Sequence, residues 1–154
     1  MLTPPASAAP VLVRRGLIAL TGIGGLATAF ELATERHWNG LEQLIPWLAL
    51  VVLAAAIALV PVRRGRAVAV ARVLALLVLG ASAYGVVDHI LVNYNSGVLD
   101  QRYAETWDRL PLAHRWWLAV TKSVGPAPTL APGVLGQSAL LLLLATFLGD
   151  RPSR

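Results

Sequence analysis

The chain has 154 residues, of which 56% are hydrophobic and 14% are charged, and it contains no cysteine. Soluble domains carry about 25% charged residues, so the composition excludes an ordinary soluble domain, and the lack of cysteine excludes disulfides, thiolate metal sites and cysteine nucleophiles. The formal net charge is +5, but the basic residues flank apolar runs, so we expect no nucleic-acid partner.

Four long apolar runs predict the architecture. They occupy residues 11–33, 44–62, 68–92 and 130–148. The second run has no charged residue, and its 19 residues would span about 28 Å as a helix, close to the ~30 Å hydrocarbon core of a bilayer. We therefore predict an all-α polytopic membrane protein with four transmembrane helices. The predicted domain is 11–149, between a disordered tail at 1–10 and a short tail at 150–154.

The basic residues predict the orientation, because eight fall on one side of a four-helix topology and five on the other. The larger group is Arg14, Arg15, Arg63, Arg64, Arg66, Arg72, Arg151 and Arg154. The smaller group is Arg36, Arg102, Arg109, Arg115 and Lys122. The positive-inside rule then places both termini on the cytoplasmic side of the membrane. We expect that membrane to be the inner membrane of a bacterium.

The first run has an alternative interpretation as a cleavable signal peptide. Arg14 and Arg15 precede an apolar stretch, and Ala27-Thr28-Ala29 fits a cleavage site. Cleavage would leave three helices with the same orientation. The run continues to Ala33 and is rich in small residues, which favours a retained helix.

Small residues recur at four-residue spacing in three of the runs, a pattern that lets helix backbones approach closely in lipid. They are Thr21, Gly25 and Ala29 in the first run, Ala54 and Ala58 in the second, and Ala71, Ala75, Ala81 and Gly85 in the third. We expect these residues to mark the faces through which the helices pack.

The segment 93–128 is the only sizeable stretch outside the apolar runs, and it predicts two short amphipathic helices. The first is indicated by Leu99, Tyr103, Trp107 and Leu110, with an expected ion pair between Glu105 and Arg109. The second begins at Pro111 and carries Leu112, Trp116, Val120 and Val124 on one stripe. We expect both helices to lie in the outer membrane interface, and Pro132 to open the fourth membrane helix.

Polar residues are few inside the apolar runs, and they fall at a similar predicted depth near the outer side. They are Glu31, Asp88, His89 and Gln137, with Tyr84 one turn beneath Asp88. Because ionisable groups in membrane segments tend to face the bundle interior and pair, we expect the first four to converge. The simplest interpretation is a structural network in which His89 bonds Glu31 or Asp88. A proton- or ion-handling site is the second, since histidine titrates near neutral pH.

A metal site is the third interpretation of these polar residues. Glu35, His37 and His114 would add oxygen and nitrogen donors on the same side. However, the chain has no recognised zinc pattern and no Walker loop, Gly-x-Ser-x-Gly or His-Glu-x-x-His motif. We therefore predict no cofactor and favour a protein without catalytic activity.

The end of the chain carries a family resemblance. Leu130-Ala131-Pro132-Gly133, then Gln137, an apolar run and Arg151-Pro152 resemble the last helix of a group of small, uncharacterised bacterial membrane proteins. His37 and His89 also fit the group, whereas Gly149-Asp150 replaces a more aromatic ending. The resemblance implies four helices and no particular activity.

Three functional hypotheses follow, in order. The first is a non-catalytic accessory or interaction component, whose partners would be the lipid bilayer and either a membrane protein or a second copy of the chain, with the outer segment as contact surface. The second is a transporter-like or ion-responsive protein using Glu31, Asp88, His89 and Gln137. The third is a metal-dependent membrane enzyme.

Overall fold

The computed structural model describes residues 9–62 and 65–148, and within these ranges the chain is helical with no strand. The helices are α1 (Ala9–Thr34), α2 (Leu41–Leu59), α3 (Gly65–Ser96), α4 (Leu112–Val120) and α5 (Gly133–Phe147). Three 3₁₀ turns lie at Val60–Val62, Gly97–Leu99 and Trp107–Arg109. The predicted all-α class is confirmed. Arg63, Arg64, Arg151, Arg154 and most of both predicted tails lie outside the described residues.

Among the described residues, three helical stretches are long and apolar enough to cross a membrane: Ala9–Thr34, Leu41–Val62 and Gly65–Leu99. This finding indicates a membrane protein. The fourth apolar helix, α5, has 15 residues and is therefore about 22 Å long, shorter than the ~20 residues of a typical span. The predicted count of four spans thus stays a prediction.

The chain divides into two compact units, and the boundary between them falls within α3. The first unit combines Met1–Ala81 with Val134–Arg154, and the second is Ser82–Gly133. Each unit has a hydrophobic core of its own.

The first unit packs through small residues, as expected for helices in lipid. Its fully buried core consists of Ala49, Leu53, Ala56, Val60, Ala71, Ala75, Val78, Leu135, Ala139 and Leu142. Gly25 of α1 lies against α2, since a Cβ atom there would sit 3.6 Å from Leu53 Cδ2. The buried Thr21 hydroxyl lies 3.3 Å from the carbonyl oxygen of Ser138 on α5. The predicted contact residues Thr21, Gly25, Ala71 and Ala75 are confirmed.

The predicted contact face of α2 was wrong. Ala54 and Ala58 are exposed, whereas Ala49, Leu53, Ala56 and Val60 are buried. The sequence 44–59 is apolar on every side, so residue size alone does not indicate which side is buried.

Two arginines bind backbone carbonyls near the ends of α2 and α5. Arg14 donates to the carbonyl of Val60 at 3.0 Å and to that of Ala145 at 3.3 Å. Arg72 donates to the hydroxyl of Thr146 at 3.0 Å and to its carbonyl at 3.3 Å. The last carbonyls of a helix lack intrahelical partners and carry partial negative charge. These arginines, which were predicted only to set the orientation, therefore also cap helices.

The ends of α1 and α4 share one backbone motif. At the end of α1 the His37 N–H reaches back 2.9 Å to the carbonyl of Leu32, while Arg36 adopts a left-handed φ of 50°. Lys122 follows α4 with φ of 54°, and the next N–H donates five residues back at 2.8 Å. This is the Schellman arrangement, in which glycine is the usual left-handed residue.

The second unit contains the cap segment, residues 97–132, and corrects the first predicted amphipathic helix. Residues 101–106 form turns rather than α-helix, between the two 3₁₀ turns. One reason is that Asp100 accepts hydrogen bonds from both the backbone and the guanidinium of Arg102, which favours a turn. The expected Glu105–Arg109 ion pair is also absent from the described residues, because Arg109 binds the backbone carbonyl of Glu105 at 2.8 Å. The second predicted segment contains a helix, α4, which ends at Val120 and so before Val124; its position in the outer interface stays a prediction.

Candidate functional site

One face of α3 carries polar and small residues that contact a proline-rich stretch of the cap segment. Ser82, Gly85, His89 and Asn93 follow one another at helical spacing. Each of them lies against residues in the stretch 125–132 or, for Asn93, against α4 as well. This face of α3 holds the cap segment in place. Because the outer segment is the expected contact surface, we take this face as the candidate functional site.

Asn93 is the centre of the site. It is 0% exposed, and its amide nitrogen donates to the carbonyls of Ala119 at 3.2 Å and Ala127 at 2.9 Å and to the Thr129 hydroxyl at 3.3 Å. Its amide oxygen accepts the Ala127 N–H at 2.9 Å. A buried amide is costly unless its donors and acceptors are satisfied, and here both ends are used. One side chain thus joins α3 to α4 and to the proline-rich stretch.

Gly125 is required for the close approach to Asn93. It has a φ of 78°, which side chains disfavour, and a Cβ atom there would lie 2.5 Å from Asn93 Cα. Only glycine combines that backbone conformation with that clearance.

His89 binds the same stretch one turn before Asn93. Its Nδ1 atom lies 2.8 Å from the carbonyl oxygen of Pro128. A carbonyl can only accept, so Nδ1 carries a proton and donates it in this contact. The carbonyl also accepts the Ala131 N–H at 3.0 Å, which uses both of its lone pairs. The predicted carboxylate partner of His89 is therefore replaced by a backbone carbonyl.

Ser82 and Gly85 complete the contact at the end of the stretch. The Ser82 hydroxyl donates to the Pro132 carbonyl at 2.8 Å. Gly85 faces the Pro132 ring, and a Cβ atom there would lie 2.9 Å from Pro132 Cβ. This contact confirms Gly85 as a packing position.

Aromatic rings form the core beneath the turns of the cap segment. The Tyr94 ring stacks on Trp116 with centroids 4.5 Å apart and meets the buried Trp107 edge-on at 5.6 Å. Trp107 in turn lies directly against Gly97, with no room there for a side chain. These pairs bury large apolar area with defined geometry, so the cap segment is a folded structure rather than a loose loop.

An ion pair closes the turn at the start of the cap segment. Arg102 donates to both carboxylate oxygens of Asp100, at 3.0 and 2.8 Å, and to the carbonyl of Ser123. The hydrogen bonds from Arg102 lower the pKa of the Asp100 carboxyl. The folded pKa is depressed, so the pair stabilises the turn above the usual aspartate range and the contribution is lost as pH falls through the lowered pKa.

The other four predicted polar residues make no side-chain hydrogen bonds or ion pairs in the part of the chain that the structure describes. Glu31 and Gln137, in the first unit, are exposed; in the second unit Tyr84 is exposed and Asp88 is half-buried. Asp88 and His89 lie about two turns before the end of α3 at Ser96, deeper than the one turn expected. Their predicted convergence stays a prediction.

The additional metal candidates are dispersed. Glu35 and His114 are exposed, and His37 is half-buried with its carbonyl accepting the Trp47 indole N–H at 2.7 Å. In the part of the chain that the structure describes, no three His, Asp or Glu side chains come together as a group able to hold a metal ion.

Asn93, Ser82 and Gly125 were not among the residues predicted from the sequence to form a site. Asn93 was taken as the first residue of the outer segment because it follows the third apolar run. The spacing of His89 and Asn93, four residues apart on one helix face, was the available signal. This spacing does not identify the hydrogen-bond partners. They are backbone carbonyls of residues 127–132, and every residue type has a backbone carbonyl.

Comparison of the chain with protein-family models, curated proteins and solved structures found no match. The resemblance of residues 129–152 to a bacterial group therefore stays a prediction.

Removal of the Asn93 amide should destabilise the second unit. Asn93→Ala leaves the Ala127 N–H without its acceptor and the Ala127 carbonyl without its donor, and each buried unpaired group costs about 1–3 kcal/mol. We expect a lower midpoint of thermal unfolding in detergent, followed through tryptophan fluorescence. Asn95→Ala is the matched control, because Asn95 is exposed two residues further along the same helix. Equal midpoints for the two variants would contradict the role of Asn93.

Proposed function

We propose that the protein is a non-catalytic integral membrane accessory component, and that the cap segment is its contact surface for a membrane-protein partner. One observation carries this proposal. The cap segment is folded and is held to α3 by Asn93, His89 and Ser82, and a pre-organised surface lowers the entropic cost of binding a partner.

The hydrogen bonds of several polar side chains support a structural role. Asn93, His89 and Ser82 direct their hydrogen bonds mainly to backbone carbonyls, and Arg14 does the same in the first unit. Groups engaged in this way organise the backbone. They are less available to a substrate than unpaired groups in a cleft would be.

For the placement in the bilayer, we propose four spans, with α5 as the short fourth, in a bacterial inner membrane with both termini in the cytoplasm. Arg14 and Arg72 would then lie near the cytoplasmic surface. The outward side of α4 carries Leu112 and Trp117, which are 58% and 65% exposed. Such a short apolar face with tryptophan is typical of the headgroup region, so we place α4 in the outer interface.

Photo-crosslinking tests the contact surface. The photoreactive residue p-benzoylphenylalanine would replace Glu105, which is exposed in the turns of the cap segment, or Trp117 on α4. We expect a discrete protein adduct at position 105 and mainly lipid adducts at 117. Val73, exposed on the apolar part of α3, is the control position and should yield lipid adducts only. If no protein adduct forms at 105 in intact cells, the proposed contact surface is wrong.

Thiol labelling tests the orientation. Because the chain has no cysteine, single cysteines can be introduced at Ser7, Ser96 and Ser153. Positions 7 and 153 should resist an impermeant thiol reagent in intact cells and react after permeabilisation, whereas position 96 should react at once. Labelling of 7 or 153 from outside would refute cytoplasmic termini.

An ion- or proton-responsive protein is the second candidate, and one observation favours it. The Nδ1–H of His89 is held by a carbonyl, so Nε2 is oriented but unused, and the neighbouring Asp88 carboxylate has no partner among the described residues. A histidine positioned through its second nitrogen is the usual arrangement in ligand sites.

Two His89 variants separate the candidates. His89→Ala removes the hydrogen bond to Pro128, whose carbonyl keeps the Ala131 N–H, and should cost about 0.5–1.5 kcal/mol. His89→Asn can retain a donor near the position of Nδ1 but lacks Nε2. Under the structural proposal, the His89→Asn variant regains most of the stability. The unfolding temperature of the wild type then changes neither with added ions nor between about pH 5 and 8, the range in which histidine titrates. Under the ion proposal, Zn²⁺, Mn²⁺ or Na⁺ raises the wild-type unfolding temperature by mass action, and both variants lose that response.

A further inference from the structure

Asn39 and Gly40 lie in the exposed connection between α1 and α2. Both residues are exposed, in the turn that precedes the first residue of α2, Leu41. The chain has three asparagines, Asn39, Asn93 and Asn95, and only Asn39 is followed by glycine. This pairing has a chemical consequence. Because glycine has no side chain, its own backbone nitrogen, which follows Asn39, is sterically free to react.

The local geometry leaves the Gly40 nitrogen accessible. Its N–H makes no hydrogen bond within the described residues, and a Cβ atom at Gly40 would have nothing within 4 Å. The Asn39 side chain is held lightly, by a 3.3 Å hydrogen bond from Nδ2 to the Arg36 carbonyl. Neither group is fixed away from the other by packing.

We propose that Asn39 is a site of spontaneous covalent modification, at which water converts the asparagine to aspartate and isoaspartate. The Gly40 nitrogen loses its proton to water or hydroxide and attacks Asn39 Cγ, which forms a C–N bond. The Cγ–Nδ2 bond breaks, and the leaving nitrogen takes up a proton and departs as ammonia. Water then opens the resulting cyclic imide at either carbonyl. The net reaction consumes one water, releases one ammonia and involves no oxidation or reduction.

The structure protects the other two asparagines. Asn93 is buried, and hydrogen bonds hold its amide at both ends. Asn95 is exposed but lies within α3, which extends to Ser96. Helical backbone holds the following nitrogen away from the side-chain carbonyl and engages its N–H in the helix. The modification is therefore selective for the α1–α2 connection.

Conversion changes the contacts of this connection. The new carboxylate cannot donate to the Arg36 carbonyl, so that contact is lost, and a negative charge appears just before the first turn of α2. In isoaspartate the backbone also gains one carbon atom. This shifts the Asn39 N–H, which donates to Gln43 Oε1 at 2.8 Å.

Peptide mass spectrometry of the purified full chain, aged in detergent at mildly alkaline pH, tests the proposal. The peptide with Asn39 should gain the mass of an amide-to-acid exchange and separate into two products, while those with Asn93 and Asn95 stay unchanged. Gly40→Ala should lose most of the conversion. Its fold should be retained, because the backbone there is extended with φ of −151° and the added Cβ meets open space.

Three results would overturn the proposal. They are an unmodified Asn39 after ageing, conversion of Asn95 at the same rate, or a Gly40→Ala chain that converts as fast as wild type. Thermal unfolding of Gly40→Ala, measured alongside, verifies that the comparison is between folded chains.

Discussion

Backbone carbonyls that have no helical partner place the strongest constraint on this structure. Prolines at 126, 128 and 132 prevent the stretch 125–132 from satisfying its own backbone by regular helix, and unpaired polar groups next to apolar helices are costly. Asn93, His89 and Ser82 supply the missing donors from one face of α3. The position of the cap segment, and with it the proposed contact surface, depends on these three side chains.

The first unit meets the same requirement with arginine. Arg14 and Arg72 donate to carbonyls near the ends of α2 and α5, where partial negative charge accumulates. Arg72 also lies over the Phe147 ring, 4.3 Å from its centroid, so its charge is shared between a helix end and an aromatic face. In both units, polar side chains in or beside apolar runs organise backbone. This shared pattern is the basis of the accessory role proposed above.

Much of the helical part of the fold could be predicted. The apolar runs located α1, α2 and α3, and the small-residue spacing identified Gly25, Ala71 and Gly85 as packing positions. The cap segment was harder. The Leu99–Leu110 periodicity fitted an α-helix, but Asp100 binds Arg102 to form a turn, and Trp107 packs against Gly97 and Tyr94. Short helices are only marginally stable without tertiary support. In this short stretch, local contacts therefore decide the conformation, and the apolar periodicity does not.

The sequence by itself determined the helical class and the need for a lipid environment, because both follow from the length and composition of continuous apolar runs. It also determined where glycine and proline interrupt those runs. Only the tertiary structure decided which side of α2 is buried, that His89 binds a backbone carbonyl rather than a carboxylate, and that Asn93 is the centre of the site. The physical reason is that a side chain's role depends on its partner, and a carbonyl oxygen is the same in every residue.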